Sequence, residues 1–203
     1  WVHCVAVLVF LNFLPIGKHF HVITGIPKVF FRELRPYGAV PKTDLEEAES
    51  FGMRSTADLN WSMVLDLYSC TECGRCSSVC PANLTGKKLS PRKIMMDTRD
   101  RLEEVGSNIF KNKGKFVSDN KQLLNNYITK EELWACTSCN ACVESCPIEI
   151  DPLSIIMDMR KYLVMEKSEA PLDLNNMMSN IENNGAPWPF NNQDRMLWTK
   201  ENN

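Results

Sequence analysis

From Trp1 to Phe31 the chain is apolar, with Lys18 and Lys28 its only formal charges. About 20 apolar residues suffice to cross a bilayer, so the pattern predicts a transmembrane helix over residues 1–31, kinked at Pro15. The chain opens on Trp1, already inside the run Val5 to Leu11, with no basic region before it and no small-residue cleavage site after it. It therefore reads as the last helix of a truncated membrane domain and not as a signal peptide. Arg35-Pro36-Tyr37-Gly38 and Pro41 then break regular structure, and Asp44, Glu46, Glu47 and Glu49 form an acidic stretch, which makes residues 32–60 a linker. Beyond it, Trp61 to Ser69 and Lys130 to Ala135 have the spacing of short amphipathic helices, and Arg92 to Val105 that of a longer one. Residues 171–203 are polar and asparagine-rich, apart from Trp188-Pro189-Phe190 and Trp198. Those aromatics suit either docking to another subunit or packing back on the chain itself.

Residues 61–170 contain an internal repeat. Pro91-x-x-Ile94-x-Met96-Asp97-x-Arg99 returns as Pro152-x-x-Ile155-x-Met157-Asp158-x-Arg160. Ser90-Pro91 and Asp151-Pro152 each supply an N-cap followed by proline at the first helical position, so both copies start a helix at the same place. Met95, Met96, Met157 and Met159 form a stripe that reads as packing rather than as ligands.

Each repeat is preceded by the same cysteine pattern: Cys70, Cys73, Cys76 and Cys80-Pro81, then Cys136, Cys139, Cys142 and Cys146-Pro147. Three thiolates at this spacing on a tight loop can hold three irons of one [4Fe-4S] cube, while the fourth, opening the next helix, reaches the other cube. The expected ligand sets are Cys70, Cys73, Cys76 and Cys146 for cluster 1, and Cys136, Cys139, Cys142 and Cys80 for cluster 2. Zinc is the rival, but it gives no reason for a third cysteine at the same interval and a fourth before proline, twice over. The ninth cysteine, Cys4, lies in the apolar run and reads as a buried, inert thiol.

Free thiolate ligands imply a reducing compartment. Lys28, Arg32, Arg35 and Lys42 against the single acid Glu33 put the downstream residues on the cytoplasmic side of an inner membrane. The net charge of -2 offers no basic field for nucleic acid. Lys87, Lys88, Arg92 and Lys93 form a local basic patch, either a guide for an acidic redox partner or a solvated helix start.

All three histidines fall within the first 21 residues. On one continuous helix His3 and His21 share a face and stand ~27 Å apart along the axis, while His19 points about 160° away. Two stacked b-type haems need axial ligands placed this way.

The 55 residues between Cys80 and Cys136 are helical in pattern and too many for a compact β-rich ferredoxin. Residues 60–170 resemble iron–sulfur subunits related to the heterodisulfide reductase small subunit and the second domain of fumarate reductase iron–sulfur subunits. That resemblance implies an all-helical ferredoxin fold, and with Cys73 and Cys139 both present it implies two [4Fe-4S] clusters rather than one [3Fe-4S]. The stretch His3 to Pro27, with Phe13-Leu14-Pro15-Ile16-Gly17-Lys18-His19-Phe20-His21-Val22, is similar to the final helix of the nitrate reductase gamma-subunit family of diheme cytochromes b. This second resemblance implies haem ligation by His3 and His21, with partner ligands on an earlier helix.

The expected architecture is mainly α: a terminal transmembrane helix of a cytochrome b-like domain followed by an all-helical dicluster ferredoxin domain. The expected function is a membrane-bound electron-transfer subunit that joins a cytoplasmic redox partner to menaquinone or another quinone, through two [4Fe-4S] clusters and haem b. The resemblances imply a cysteine-rich heterodisulfide reductase-like subunit or an electron-transferring flavoprotein as that partner. No phosphate loop, nucleophile elbow or paired carboxylates appear, so no substrate-converting site is visible in the chain. A haem-free, membrane-anchored iron–sulfur subunit of a dehydrogenase and a zinc-stabilised membrane adaptor are the alternatives.

Overall fold

Side-chain capping fixes the starts of four helices in the computed structural model, which describes residues 1–17, 19–34, 36, 38–39, 43–46, 48 and 50–199. The predicted turn residues Arg35, Tyr37 and Pro41, and the charges Lys18, Lys42, Glu47 and Glu49, lie outside the described residues. The helices are α1 (Val2–Phe13), α2 (Phe20–Phe30), α3 (Trp61–Ser69), α4 (Arg75–Ser78), α5 (Pro81–Leu84), α6 (Pro91–Lys111), α7 (Leu123–Asn126), α8 (Lys130–Ala135), α9 (Ala141–Glu144), α10 (Pro152–Lys161) and α11 (Leu172–Asn184). α7 is a single turn distorted by the left-handed Asn125. Among the described residues there is no strand, only an isolated bridge between Leu124 and Ile128.

The repeat is structural as well as sequential. Ser90 Oγ accepts from the Lys93 N–H and Asp151 Oδ1 from the Ser154 N–H, so α6 and α10 begin as their N-cap and proline signals predict. Asn60 caps α3 through the Met63 N–H, and Thr129 with Glu132 forms a capping box on α8. Ile94 and Ile155, the matched apolar positions, are both fully buried, together with Leu67, Leu133 and Met159. Met95 is buried too, whereas Met96 and Met157 are half-buried, so the methionine stripe is only partly core.

The chain divides into two compact units, Trp1–Tyr162 and Leu163–Asn203. In the second, α11 ends on left-handed Gly185, and Trp188, Phe190 and Leu197 gather around a shallow cavity.

The amino-terminal segment departs from expectation. In place of one kinked helix there are two, with a turn over Leu14–Gly17 between them. Pro15 has no N–H to continue the ladder, and the Ile16 and Gly17 N–H groups both turn back to the Phe13 carbonyl. At 12 residues α1 is about 18 Å long, short of a ~30 Å hydrocarbon core. Among the described residues no helix is long and apolar enough to cross a membrane.

α1 buries none of its residues, and Cys4 is exposed rather than buried, because apolar character there is not matched by any packing surface of the chain. α2 is inside out. Its buried residues are Thr24 and Lys28, one turn apart and facing α3, while Val22, Ile23, Ile26, Val29 and Phe30 are exposed. Thr24 Oγ1 donates to the Tyr68 carbonyl at 3.0 Å, and Lys28 Nζ lies 2.5 Å from Asp66 Oδ1, both side chains 5% exposed. Asp66 Oδ2 also accepts the Asp151 N–H at 3.1 Å, so one carboxylate ties α2, α3 and the start of α10 together. Burial pushes the Asp66 carboxyl above its ordinary range, with Lys28 opposing the shift.

Candidate metal centre

α3 and α8 each end directly at the first cysteine of a motif, and their C-caps Cys70 and Cys136 have almost the same extended backbone. The chain then winds tightly. Glu72 and Gly74 in the first loop, and Ser138 and Asn140 in the second, all have positive φ, at 57°, 83°, 54° and 61°. Left-handed residues at matching steps of both loops are the backbone conformation from which concavities that hold anionic iron–sulfur groups are built. Three of the four are not glycine, so the conformation is imposed by the surrounding structure.

Cys70, Cys73, Cys76 and Cys146 line one cavity of about 160 Å³, with Met95 against them. Burial pushes the Cys70 thiol up, and the neighbouring Cys76 and Cys146 sulfurs add to the effect. Cys76 is likewise raised by burial, then by Cys73 and Cys146. In the second loop burial raises Cys136, assisted by Cys80 and Cys139. Cys142, which also lines the first cavity, is pushed up to about 12 by burial, with Cys136, Asp151 and Cys76 contributing. Each fourth cysteine thus neighbours thiols of the opposite motif: Cys146 those of the first, Cys80 those of the second. Cys80 is itself buried, at the N-cap of α5.

Buried thiols with raised pKa values are poor thiolates unless a metal supplies positive charge. Among the described residues no three His, Cys, Asp or Glu side chains converge closely enough to hold a single metal ion. A cube divides its four thiolates among four irons and needs no such convergence on one centre. The donor set, the paired left-handed loops and the cavity fit [4Fe-4S] groups.

The surroundings of the two loops differ. Arg160 Nη2 donates to the Leu133 carbonyl at 2.6 Å and to the Cys136 carbonyl at 2.5 Å, Nη1 reaches Ser138 Oγ at 3.2 Å, and the guanidinium lies 5.0 Å from the Trp134 ring centre. Burial lowers its pKa, partly offset by the Cys136 sulfur. Its repeat counterpart Arg99 pairs instead with Glu72 in the first loop. Lys93, from the predicted basic patch, binds Glu132 at 2.5 Å and Asp97 at 3.2 Å, and Lys88 binds Glu131 at 2.5 Å. Two of the four patch cations are therefore paired within the chain.

The predicted haem ligands do not share one helix. His3 is on α1 and His21 on α2, so the shared-face geometry, which requires one unbroken helix, does not hold. His21 instead lines the first cysteine cavity, and its ring lies 6.5 Å from that of His19, which in turn is 5.9 Å from Phe10.

Sequence reasoning passed over Gly52. A Cβ there would stand 2.2 Å from the Asp158 carbonyl oxygen, at φ +75°, and the next residue, Met53, donates its N–H to that same carbonyl at 2.9 Å. The glycine lets the segment before α3 lie against α10. Ser69 and the Lys28–Asp66 pair were also missed. The helical spacing of Thr24 and Lys28 was the one available signal for the pair.

Residues 69–150 match the family described as a 4Fe-4S dicluster domain. Over 99% of its length the chain is 34% identical to a probable iron-sulfur-binding oxidoreductase, FadF, of Bacillus subtilis, covering 33% of that protein. It is 31% identical over 99% of its length to an EtfAB:quinone oxidoreductase of Syntrophomonas wolfei, covering 31% of it. It is 30% identical over 78% of its length to a probable membrane-anchored ferredoxin of Chromohalobacter salexigens, covering 26% of it. The chain thus spans about a third or less of the length of these relatives. Matches over about half of the chain run to C subunits of heterodisulfide reductases.

Proposed function

We propose that this chain, whose residues 69–150 match a 4Fe-4S dicluster domain and half of which is similar to C subunits of heterodisulfide reductases, relays electrons between a soluble redox partner and membrane quinone. The observation that carries this reading is the pair of matched cysteine loops, each with a fourth thiol from the opposite motif beside it. Cys70, Cys73, Cys76 and Cys146 would hold one [4Fe-4S] cluster, and Cys136, Cys139, Cys142 and Cys80 the other. When bound, these clusters supply one-electron transfer. The chain's own residues set the environment. The loops carry left-handed residues at matching steps, Arg160 binds the carbonyls of Leu133 and Cys136, and the apolar side chain of Met95 lines the first cavity.

The membrane side of the reading rests on α1 and on the outward face of α2, which expose Val5, Leu8, Phe10, Leu11, Ile26 and Phe30. Exposed apolar patches of this kind mark lipid or partner contact. Quinone is named in the description of the Syntrophomonas relative, and membrane anchoring in that of the Chromohalobacter one. An electron-transferring flavoprotein or a cysteine-rich heterodisulfide reductase-like subunit serves as the soluble partner, on the cytoplasmic side of the inner membrane.

The apolar segment has a haem-bearing reading, with His3 and His21 as ligands, and a haem-free reading as an anchor. A specific observation favours the second: His21 lines the iron–sulfur cavity, on a different helix from His3. Haem content of the full-length protein separates them. Loss of one haem in each of His3→Ala and His21→Ala establishes ligation, and unchanged content leaves an anchor.

Iron and acid-labile sulfide analysis tests the core of the proposal. Two complete 4Fe-4S sites require eight of each per chain. Four irons, or stoichiometric zinc, contradicts it.

A further inference from the structure

Ser69 is the last residue of α3, immediately before Cys70, and it is completely buried. Its hydroxyl is shielded from solvent and has no hydrogen-bond partner among the described residues. Leaving a buried hydroxyl unpaired is costly, so such a group calls for an explanation. Serine and threonine hydroxyls within helices commonly bond back to the carbonyl four residues earlier, as Thr98 in α6 does to Ile94 at 2.7 Å. Ser69 does not.

The residue does line the cavity walled by Cys70, Cys73, Cys76 and Cys146. At the matching position before Cys136 the second motif has Ala135. The surplus donor therefore belongs to one half of the repeat alone, beside a cavity where the sulfurs of the bound group would supply acceptors.

We propose that the Ser69 hydroxyl donates a hydrogen bond to a sulfur of the first cluster, either a bridging sulfide or a ligating thiolate, and thereby raises its reduction potential above that given by the cysteine set alone. The inference rests on the cluster assignment made above. Reduction adds one electron to the cluster and moves no atom. The reduced cluster carries one more negative charge, so a donor to its sulfur binds the reduced form more strongly than the oxidised form. Ser69 acts through the cluster's electrostatics and is a positioning residue, not a catalytic one.

The test is a dithionite redox titration of the full chain, followed by EPR. Iron and sulfide are counted first, because fewer than eight irons in the wild-type protein contradicts the cluster assignment and the inference with it. With eight irons present, Ser69→Ala is expected to shift the first-cluster reduction equilibrium about tenfold toward the oxidised form, or 59 mV for one electron, and to leave the second cluster unchanged. The wild-type protein should also show an exchangeable proton coupled to the first-cluster EPR signal, lost in Ser69→Ala. Should Ser69→Ala fail to keep the cluster, Ser69→Thr and Ser69→Val form a second pair of equal shape that differs in the hydroxyl. A higher potential in the Thr variant supports the proposal. Equal potentials in either pair, or a shift shared equally by both clusters, overturns it.

Discussion

In the first cysteine loop Arg99 is neutralised by Glu72, a buried serine hydroxyl precedes Cys70, and α2 lies over α3 through Lys28 and Asp66. In the second loop Arg160 makes no ion pair among the described residues, binding backbone carbonyls and standing over Trp134, and alanine precedes Cys136. The backbone scaffold is the same in both: helix, left-handed loop, cysteine before proline, and a capped helix opening with proline. The comparison teaches that the repeat fixes the geometry of a metal site, while a few unmatched side chains give its two copies different surroundings. Two cofactors of one type in one chain are useful for relay when their potentials differ, and the levers for such a difference are hydrogen bonds and nearby charge.

The largest expected effect of a single substitution comes from the pair found only beside the first half. Removing one partner of a buried ion pair leaves the other charge unpaired, so Asp66→Ala or Lys28→Ala should cost about 3–5 kcal/mol in denaturant unfolding. Replacing both by apolar residues, Lys28→Met with Asp66→Leu, should recover most of that loss. A single-variant loss below about 1 kcal/mol would show that α2 is not anchored this way.

A smaller effect distinguishes the two arginines. Arg160→Ala frees the carbonyls of Leu133 and Cys136 and should cost about 2–3 kcal/mol, at the upper end for groups left without partners. Arg99→Ala breaks a partly exposed pair and should cost about 1 kcal/mol or less. Equal losses by thermal or denaturant unfolding would erase the proposed difference between the halves.

The loop glycine gives the smallest effect. A Cβ at Gly74 meets nothing within 4 Å, so Gly74→Ala should cost about 1 kcal/mol through the left-handed backbone alone. Asn140→Gly, at the matching position, should stabilise by about 0.5 kcal/mol. The opposite signs are the prediction, and unfolding midpoints at equal m-values measure them.

What was legible in the sequence was what local chemistry encodes. Cysteine spacing, N-cap and proline pairs at Ser90 and Asp151, and the amphipathic runs before Cys70 and Cys136 all led to elements where they are found. What was not legible depends on contacts between distant residues. Lys28 and Asp66 are 38 positions apart, and the helical spacing of Thr24 and Lys28 marks an inward polar face without naming Asp66 as its partner. Gly52 is needed because α10 approaches it, a fact about α10. Glu72 and Ser138 adopt positive φ against the usual preference of their side chains, so only Gly74 and, more weakly, Asn140 announced the conformation. At the amino end, apolar composition fits burial and membrane insertion equally well; Pro15 marked an interruption, but not that it separates two helices, and the polar inward face of α2 carried no mark in the apolar pattern.

The most direct test of the central claim, that each cluster draws its fourth ligand from the opposite motif, is EPR of reduced Cys80→Ser and Cys146→Ser proteins beside the wild type. The account predicts that Cys80→Ser loses or alters the signal of the cluster held by Cys136, Cys139 and Cys142 and spares the other, with Cys146→Ser doing the reverse. Loss of the signal belonging to the mutated cysteine's own motif in each case would contradict it.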